Sequence, residues 1–413
     1  MHLGAACTNF LAHMLTAFIG RSIEERAFAA LLATVCTITF SIALGQLCAA
    51  VCLLLFLMGL FAKQITWRNP PGLGIAVAFV VFAIILSAIL GDIAGLWTRV
   101  GRLFWFILIP VTASLVAVTG RDRKVIAAFL GGCAVLGVKD LVVYPILAWR
   151  KPLPDYLTAL IDKGSMTDGQ MLMLGVVGTV LILLMAVKER RSMPWWWWVI
   201  LLAQVAGLVI NFKRGSWFCA MILIGIAVLL QLRWRAWVVM ASLLVIFFAL
   251  PPVQTRMLQL KREFNVEGGG RLTMWFKIAP ALIRDHPAGI GFGCLTNEKM
   301  KQVFRHVEPN RNHLHANWAQ VLVETGWAGL ALYLVWMVKM LLNNLAWVRR
   351  LRTATAAERG VAWVALSILA GLLLNGLVEY NFGDTELMFI YAVIMGLTGA
   401  CIGKSVSVKW RAL

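Results

Sequence analysis

Twelve stretches of this chain are long and apolar enough to cross a lipid bilayer, and that fixes most of what it can become. They run at about 27–44, 46–62, 73–91, 99–119, 124–146, 169–187, 195–211, 215–232, 235–252, 316–342, 361–378 and 386–403. A hydrocarbon core of ~30 Å takes roughly 17–25 helical residues. Inside it every backbone N–H and C=O must be satisfied within the segment, so the runs read as helices. Composition agrees: 61% of residues are hydrophobic and 14% charged, against roughly 45–50% and ~25% in soluble domains. The chain is therefore expected to be an all-α integral membrane protein, with residues 1–252 holding nine spans, 253–315 a large loop and 316–413 three more. A soluble enzyme and a nucleic-acid-binding protein are excluded. Asn9 to Gly20 reads as an interfacial helix rather than a cleavable signal.

Charge orients the spans. With the N-terminus inside, the inside loops carry Arg21, Arg26, Lys63, Arg68, Arg121, Arg123, Lys124, Lys188, Arg190, Arg191, Arg233, Arg235, Arg349, Arg350, Arg352 and Arg359. The short outside turns carry Gly45–Gln46, Asp92 and the stretch Glu379–Glu386, which has three acids and no base. That is the positive-inside pattern, broken only at Lys213–Arg214. Those two cations sit in a short outside turn, Asn211-Phe212-Lys213-Arg214-Gly215-Ser216. Either both snorkel to lipid phosphate, or Arg214, Ser216 and the N–H groups opening the next helix form an anion site.

Two outside segments are long. Asp140–Asp168, with Pro145, Pro152 and Pro154, reads as lying along the surface. Residues 253–314 hold ten cations, Arg284 and Arg311 among them, against five acids. Long loops escape the orientation rule, so this excess implies an anionic partner, a headgroup phosphate or a phosphorylated substrate. Within it Gly268-Gly269-Gly270 precedes Arg271, and Leu272, Trp275, Phe276, Ala279, Leu282 and Ile283 recur at helical spacing. His286-Pro287 ends that helix. Gly289-Ile290-Gly291-Phe292-Gly293 follows with no strand before it, so it is not a dinucleotide fingerprint.

His286, His306, His313 and His315 cluster in this loop. No thiol pair or H-E-x-x-H spacing accompanies them, so no metal and no cofactor is expected. His315 stands at the mouth of an apolar helix and is followed by Asn317, Gln320 and Glu324. Glu324 lies roughly 13 Å further along by helical rise, inside the bundle, as a functional group or a structural hydrogen-bond hub. Trp195 to Trp198 reads as an interfacial belt.

These residues resemble the O-antigen ligase family. Its signature is a histidine followed by Asn, Ser or Gln, then nine residues and G-x-x-G; His315 to Gly326-Trp327-Ala328-Gly329 has that spacing, with Ala316 departing from the usual amide or hydroxyl neighbour and Asn317 one position on. Arg214 in Lys-Arg-Gly-Ser and Arg271 after the glycines are similar to the family's outside arginines.

The resemblance implies a GT-C-like fold with a periplasmic, partly helical loop, and glycosyl transfer at the periplasmic face of the bacterial inner membrane. The donor would be a glycan on undecaprenyl diphosphate and the acceptor a sugar hydroxyl of lipid A–core, with no obligate protein partner. His315, Arg214 and Arg271 are then the candidate catalytic residues, and Lys213, Ser216, Arg284, Arg311, His313 and Asn317 the candidate substrate-binding ones. An imidazole exchanges protons near neutral pH and suits a general base, while guanidinium groups stabilise a diphosphate leaving group without metal. An O-antigen polymerase would use the same donor with a second lipid-linked glycan. A transporter would show inverted repeats with broken helices, and no such duplication is visible.

Overall fold

The computed structural model describes residues 22–410 apart from 92–94, 150–163, most of 233–254, 255–269, 306, 308–311 and 352–354. The expectations for Asn9–Gly20, for Gly268 and Gly269, for Arg311 and for most of the 235–252 span lie outside the described residues. Among those described, all regular structure is helical. In chain order the helices are α1 (Ile23–Thr37), α2 (Ile42–Phe61), α3 (Leu73–Leu90), α4 (Leu96–Thr119, with a 3-10 stretch over Gly101–Ile107), α5 (Asp122–Ala148), α6 (Met166–Lys188), α7 (Trp196–Ile210) and α8 (Arg214–Leu232). The loop contributes α9 (271–285) and α10 (Asn297–Val303), and the chain ends with α11 (Asn317–Arg350), α12 (Ala356–Gly376) and α13 (Thr385–Trp410).

Eight of these are long and apolar enough to cross a membrane, and α7 and α8 are shorter apolar helices. Only 22% of the apolar stretch of α3 is buried within the protein, against 83% for α13. A helix apolar on every side belongs in a core or in lipid, so α3 stands at the rim and α13 at the centre of an all-α integral membrane protein.

Two turns fall elsewhere than the sequence indicates. The first hairpin bends at Ile38–Ser41, not at Gly45–Gln46. Ser41 accepts a hydrogen bond from the Leu44 N–H (3.4 Å) and caps α2. Gly45 lies inside α2, where a Cβ would come within 2.5 Å of Ile38 Cδ1; the glycine serves close packing, not the bend. Further on, Asp140 is buried and α5 continues past it to Ala148 with Pro145 inside the helix, so the surface segment cannot begin at Asp140.

Helix ends gather on one face. Ser87, near the end of α3, donates to the Phe292 carbonyl (3.2 Å); Tyr144, late in α5, donates to Asp168 (3.0 Å); Thr167 of α6 donates to Asp384 just before α13 (3.0 Å). This loop face carries the functional residues. Beneath it Phe382, fully buried in the α12–α13 turn, sits among Phe79, Phe106, Tyr333, Trp336 and Tyr391 with ring centroids 4.9–5.9 Å apart. Pairs of this kind add ~0.5–1.5 kcal/mol each beyond the area they bury, and they nail the turn to the bundle.

Candidate active site

The α12–α13 turn is fixed from above as well. Asn317, first residue of α11, accepts the N–H groups of Asn381 (2.9 Å) and Phe382 (3.0 Å) on its Oδ1, while its Nδ2 donates to Asn381 Oδ1 (2.7 Å) and to the Tyr333 hydroxyl (3.2 Å). Gly376 makes room for it, since a Cβ there would lie 2.3 Å from Asn317 Nδ2. Asn317 therefore holds the turn that presents Glu379.

Just before α11, Leu314 is gripped at both backbone groups. Its N–H donates to Gln320 Oε1 (2.8 Å), and its carbonyl accepts from the Trp275 indole (2.8 Å). Gln320 in turn donates to Glu324 (2.8 Å), so the buried carboxylate of Glu324 reaches the histidine segment through an amide. Held this way, His315 adopts φ 52°, the left-handed region that a non-glycine residue rarely takes. Strain of this sort costs of order 1–3 kcal/mol and persists only where its surroundings enforce it.

Trp275 rides on α9, whose first residue is Arg271. The helix contains a π-type turn over Met274–Ile278, which adds a residue and rotates the apolar face. The buried stripe is thus Met274, Ile278, Ala279 and Leu282, packed with Leu314, Ala319 and Val323, and Phe276 is left exposed. The glycines after α9 fit a break in α11. Gly326 has φ 65°, ψ −172°, a combination open to glycine alone. This frees the carbonyls of Val323 and Glu324 to accept from the N–H groups of Ile290 (3.1 Å) and Gly291 (2.9 Å). A Cβ on Gly289 would stand 2.6 Å from Glu324 O, and one on Gly326 2.6 Å from the Ala288 carbonyl carbon. The two glycine motifs are a single joint, and Gly329 one turn on leaves room for Thr325.

At the centre of these supports is Glu379, 4% exposed. One carboxylate oxygen pairs with Arg271 Nη2, and the other meets His315 Nδ1 at 3.1 Å. Burial pushes the carboxyl up, but the His315 hydrogen bond and the charges of Arg271, His315 and His313 outweigh it and hold Glu379 below the usual carboxylate range. An ionised carboxylate only accepts, so the contact with Glu379 is made by a protonated Nδ1, and Nε2 is the ring's other nitrogen. His313 stacks edge-on against His315 (4.3 Å between centroids) and faces Tyr380 (6.1 Å).

Arg214 opens α8 beside this group: a Cβ on the next residue, Gly215, would lie 3.7 Å from Glu379 Oε1. Ser216 is buried and, with the stem of Lys213, lies against Gly169 of α6. The structure thus brings together His315, Arg271, His313 and the start of α8. It leaves Arg284 on the surface, its side chain 79% exposed and paired with its neighbour Asp285. Sequence reasoning missed Glu379. Its signal was the acid-only turn facing a basic loop, which reads as orientation bookkeeping until His315 is seen beside it.

A family model described as O-antigen ligase matches residues 199–334. The chain carries that family's domain. No curated protein matches the chain. The ligase domain contains Arg214, Arg271, His315 and the Gly326 joint, and ends before the turn bearing Glu379. It gives this multi-pass membrane protein a function of O-antigen ligase/polymerase type, that of a glycosyltransferase-like enzyme acting on polysaccharide and lipid-linked substrates.

Proposed function

We propose that the protein is an O-antigen ligase of the bacterial inner membrane, moving a glycan from undecaprenyl diphosphate to a sugar hydroxyl of lipid A–core at the periplasmic face. The observation that carries this reading is the Glu379 carboxylate shared between Arg271 and His315. Glu379 fixes the imidazole by accepting from Nδ1, and Nε2 is assigned the proton transfer. The acceptor hydroxyl gives its proton to Nε2 as its oxygen forms the bond to the anomeric carbon. The bond from that carbon to the diphosphate oxygen breaks, and the leaving diphosphate takes the electron pair. The imidazolium so formed is stabilised by Glu379, and the charge on the diphosphate by Arg271 and Arg214. The arginines supply the positive charge, so the transfer is metal-independent. A single displacement inverts the anomeric centre.

Glu379 also has a role before substrate arrives. It neutralises Arg271 in a site with little exposure, and a diphosphate competes for the same guanidinium. Glu379 is a positioning residue, and His315 the base.

The test uses purified protein with undecaprenyl-diphosphate-linked glycan, with and without lipid A–core. A ligase joins glycan to lipid A–core and makes nothing longer without it; a polymerase lengthens the donor glycan alone. His315→Ala is expected to lower the transfer rate by about 10²–10⁴-fold. Full transfer by His315→Ala would remove the base assignment.

A further inference from the structure

On the far side of the same turn lies a cavity of about 670 Å³, bounded by Trp97, Arg102 and Trp105 of α4, Thr167 of α6, and Asp384 and Glu386. Its size is that of a small-molecule site, ~300–1,000 Å³. Its charge is opposite in sense to the histidine site: two carboxylates face one guanidinium, where the histidine site gathers Arg271, His313 and His315 around one carboxylate. Carboxylates accept from hydroxyl and amino groups and repel phosphate.

The polar groups are held in place. Thr167 Oγ1 donates to Asp384 Oδ2 (3.0 Å), and Arg102 Nη1 donates to the Gly383 carbonyl. Trp105 is packed on Phe389 (4.6 Å), whereas Trp97 is 72% exposed and stands at the mouth. The adjoining groove of about 330 Å³ shares Trp97 and Phe104 with the cavity but is otherwise walled by residues such as Val80, Ile84 and Ile107, with no charged side chain. Lipid-compatible and sugar-compatible surfaces are therefore separated by two aromatic rings. Flat aromatic faces beside fixed hydrogen-bonding groups suit a pyranose, whose C–H faces are apolar and whose rim is hydroxyl.

Cavity and histidine site are neighbours. Tyr380 faces His313 on one side, and its hydroxyl end abuts Gly383, a wall of the cavity.

We propose that this cavity is a saccharide subsite, taking uncharged or amino-bearing sugar units of a glycan substrate while its diphosphate is held at Arg271 and Arg214. The proposal rests on the glycosyl-transfer reading for its choice of glycan, and it is tested without transfer. Purified full-length protein is titrated with a lipid-free, phosphate-free O-antigen repeat oligosaccharide, read by saturation-transfer NMR, and separately with inorganic pyrophosphate. Trp97→Ala and Glu386→Gln are expected to weaken oligosaccharide binding about tenfold and to leave pyrophosphate binding unchanged, with Trp97→Phe restoring the oligosaccharide. His315→Ala is expected to bind the oligosaccharide as the wild type does. Wild-type affinity in both Trp97→Ala and Glu386→Gln would overturn the subsite, as would a wild-type protein that takes pyrophosphate but no oligosaccharide. Trp97-sensitive oligosaccharide binding by a protein that transfers no glycan would keep the subsite and defeat the ligase reading.

Discussion

His315 owes its placement to buried neighbours that hold the chain around it, and Asn317 is the clearest of them. Truncating Asn317→Ala leaves the buried N–H groups of Asn381 and Phe382 without an acceptor, at about 1–3 kcal/mol each. The expected result is a lower melting temperature together with a fall in kcat, because the turn that presents Glu379 loosens. An unchanged kcat in a folded Asn317→Ala protein would show that the turn is held by Phe382 alone. Glu379 also sets a pH signature. Its folded-state pKa is lowered, so its ionised form stabilises the fold above the ordinary glutamate value of about 4.3. That stabilisation is lost as pH falls through the lowered value. Melting of wild type and Glu379→Gln should therefore differ most at neutral pH and converge in acid; a gap constant down to pH ~3 would contradict the ion pairing.

The elements show where sequence pattern suffices and where it does not. The interval from His315 to Gly326 was legible as a motif, but nothing in it says that Gly326 breaks α11 so that Gly289–Gly293 can dock. That role depends on φ and ψ and on a loop distant along the chain. Gly326→Ala is expected to lose the joint, since its Cβ would meet the Ala288 carbonyl carbon at 2.6 Å in a backbone conformation closed to alanine. Thermal melting should register this as a strongly destabilised protein. The apolar spacing of α9 was also legible, yet the buried face is rotated, because a π-type turn cannot be foreseen from periodicity. Within α9, Trp275→Phe keeps an aromatic ring but loses the pyrrole half of the indole and with it the hydrogen bond to the Leu314 carbonyl, worth ~0.5–1.5 kcal/mol. It should lower kcat with little change in melting temperature. A wild-type kcat would mean Gln320 alone holds the histidine segment.

Across the whole molecule, the apolar runs gave the class and most of the helices, since length and hydropathy alone decide what crosses a bilayer. They could not say which helix ends meet. The site joins Arg271 from the loop, His315 before α11, the start of α8 and Glu379 beyond α12, so no one window of sequence contains it. The ligase domain supplies the first three and the α12–α13 turn the fourth. A double-mutant cycle with Arg271→Ala and Glu379→Ala should show this long-range pairing as non-additivity in stability of about 0.5–3 kcal/mol; additive effects would mean that Arg271 and Glu379 act separately.

The most direct measurement is the kcat of purified Glu379→Gln in reconstituted glycan transfer at saturating acceptor. Glutamine keeps the shape but removes the charge that orients His315 and stabilises its protonated form. The account expects kcat to fall by about 10²–10⁴-fold with the acceptor KM little changed. A Glu379→Gln enzyme turning over at the wild-type rate would contradict it.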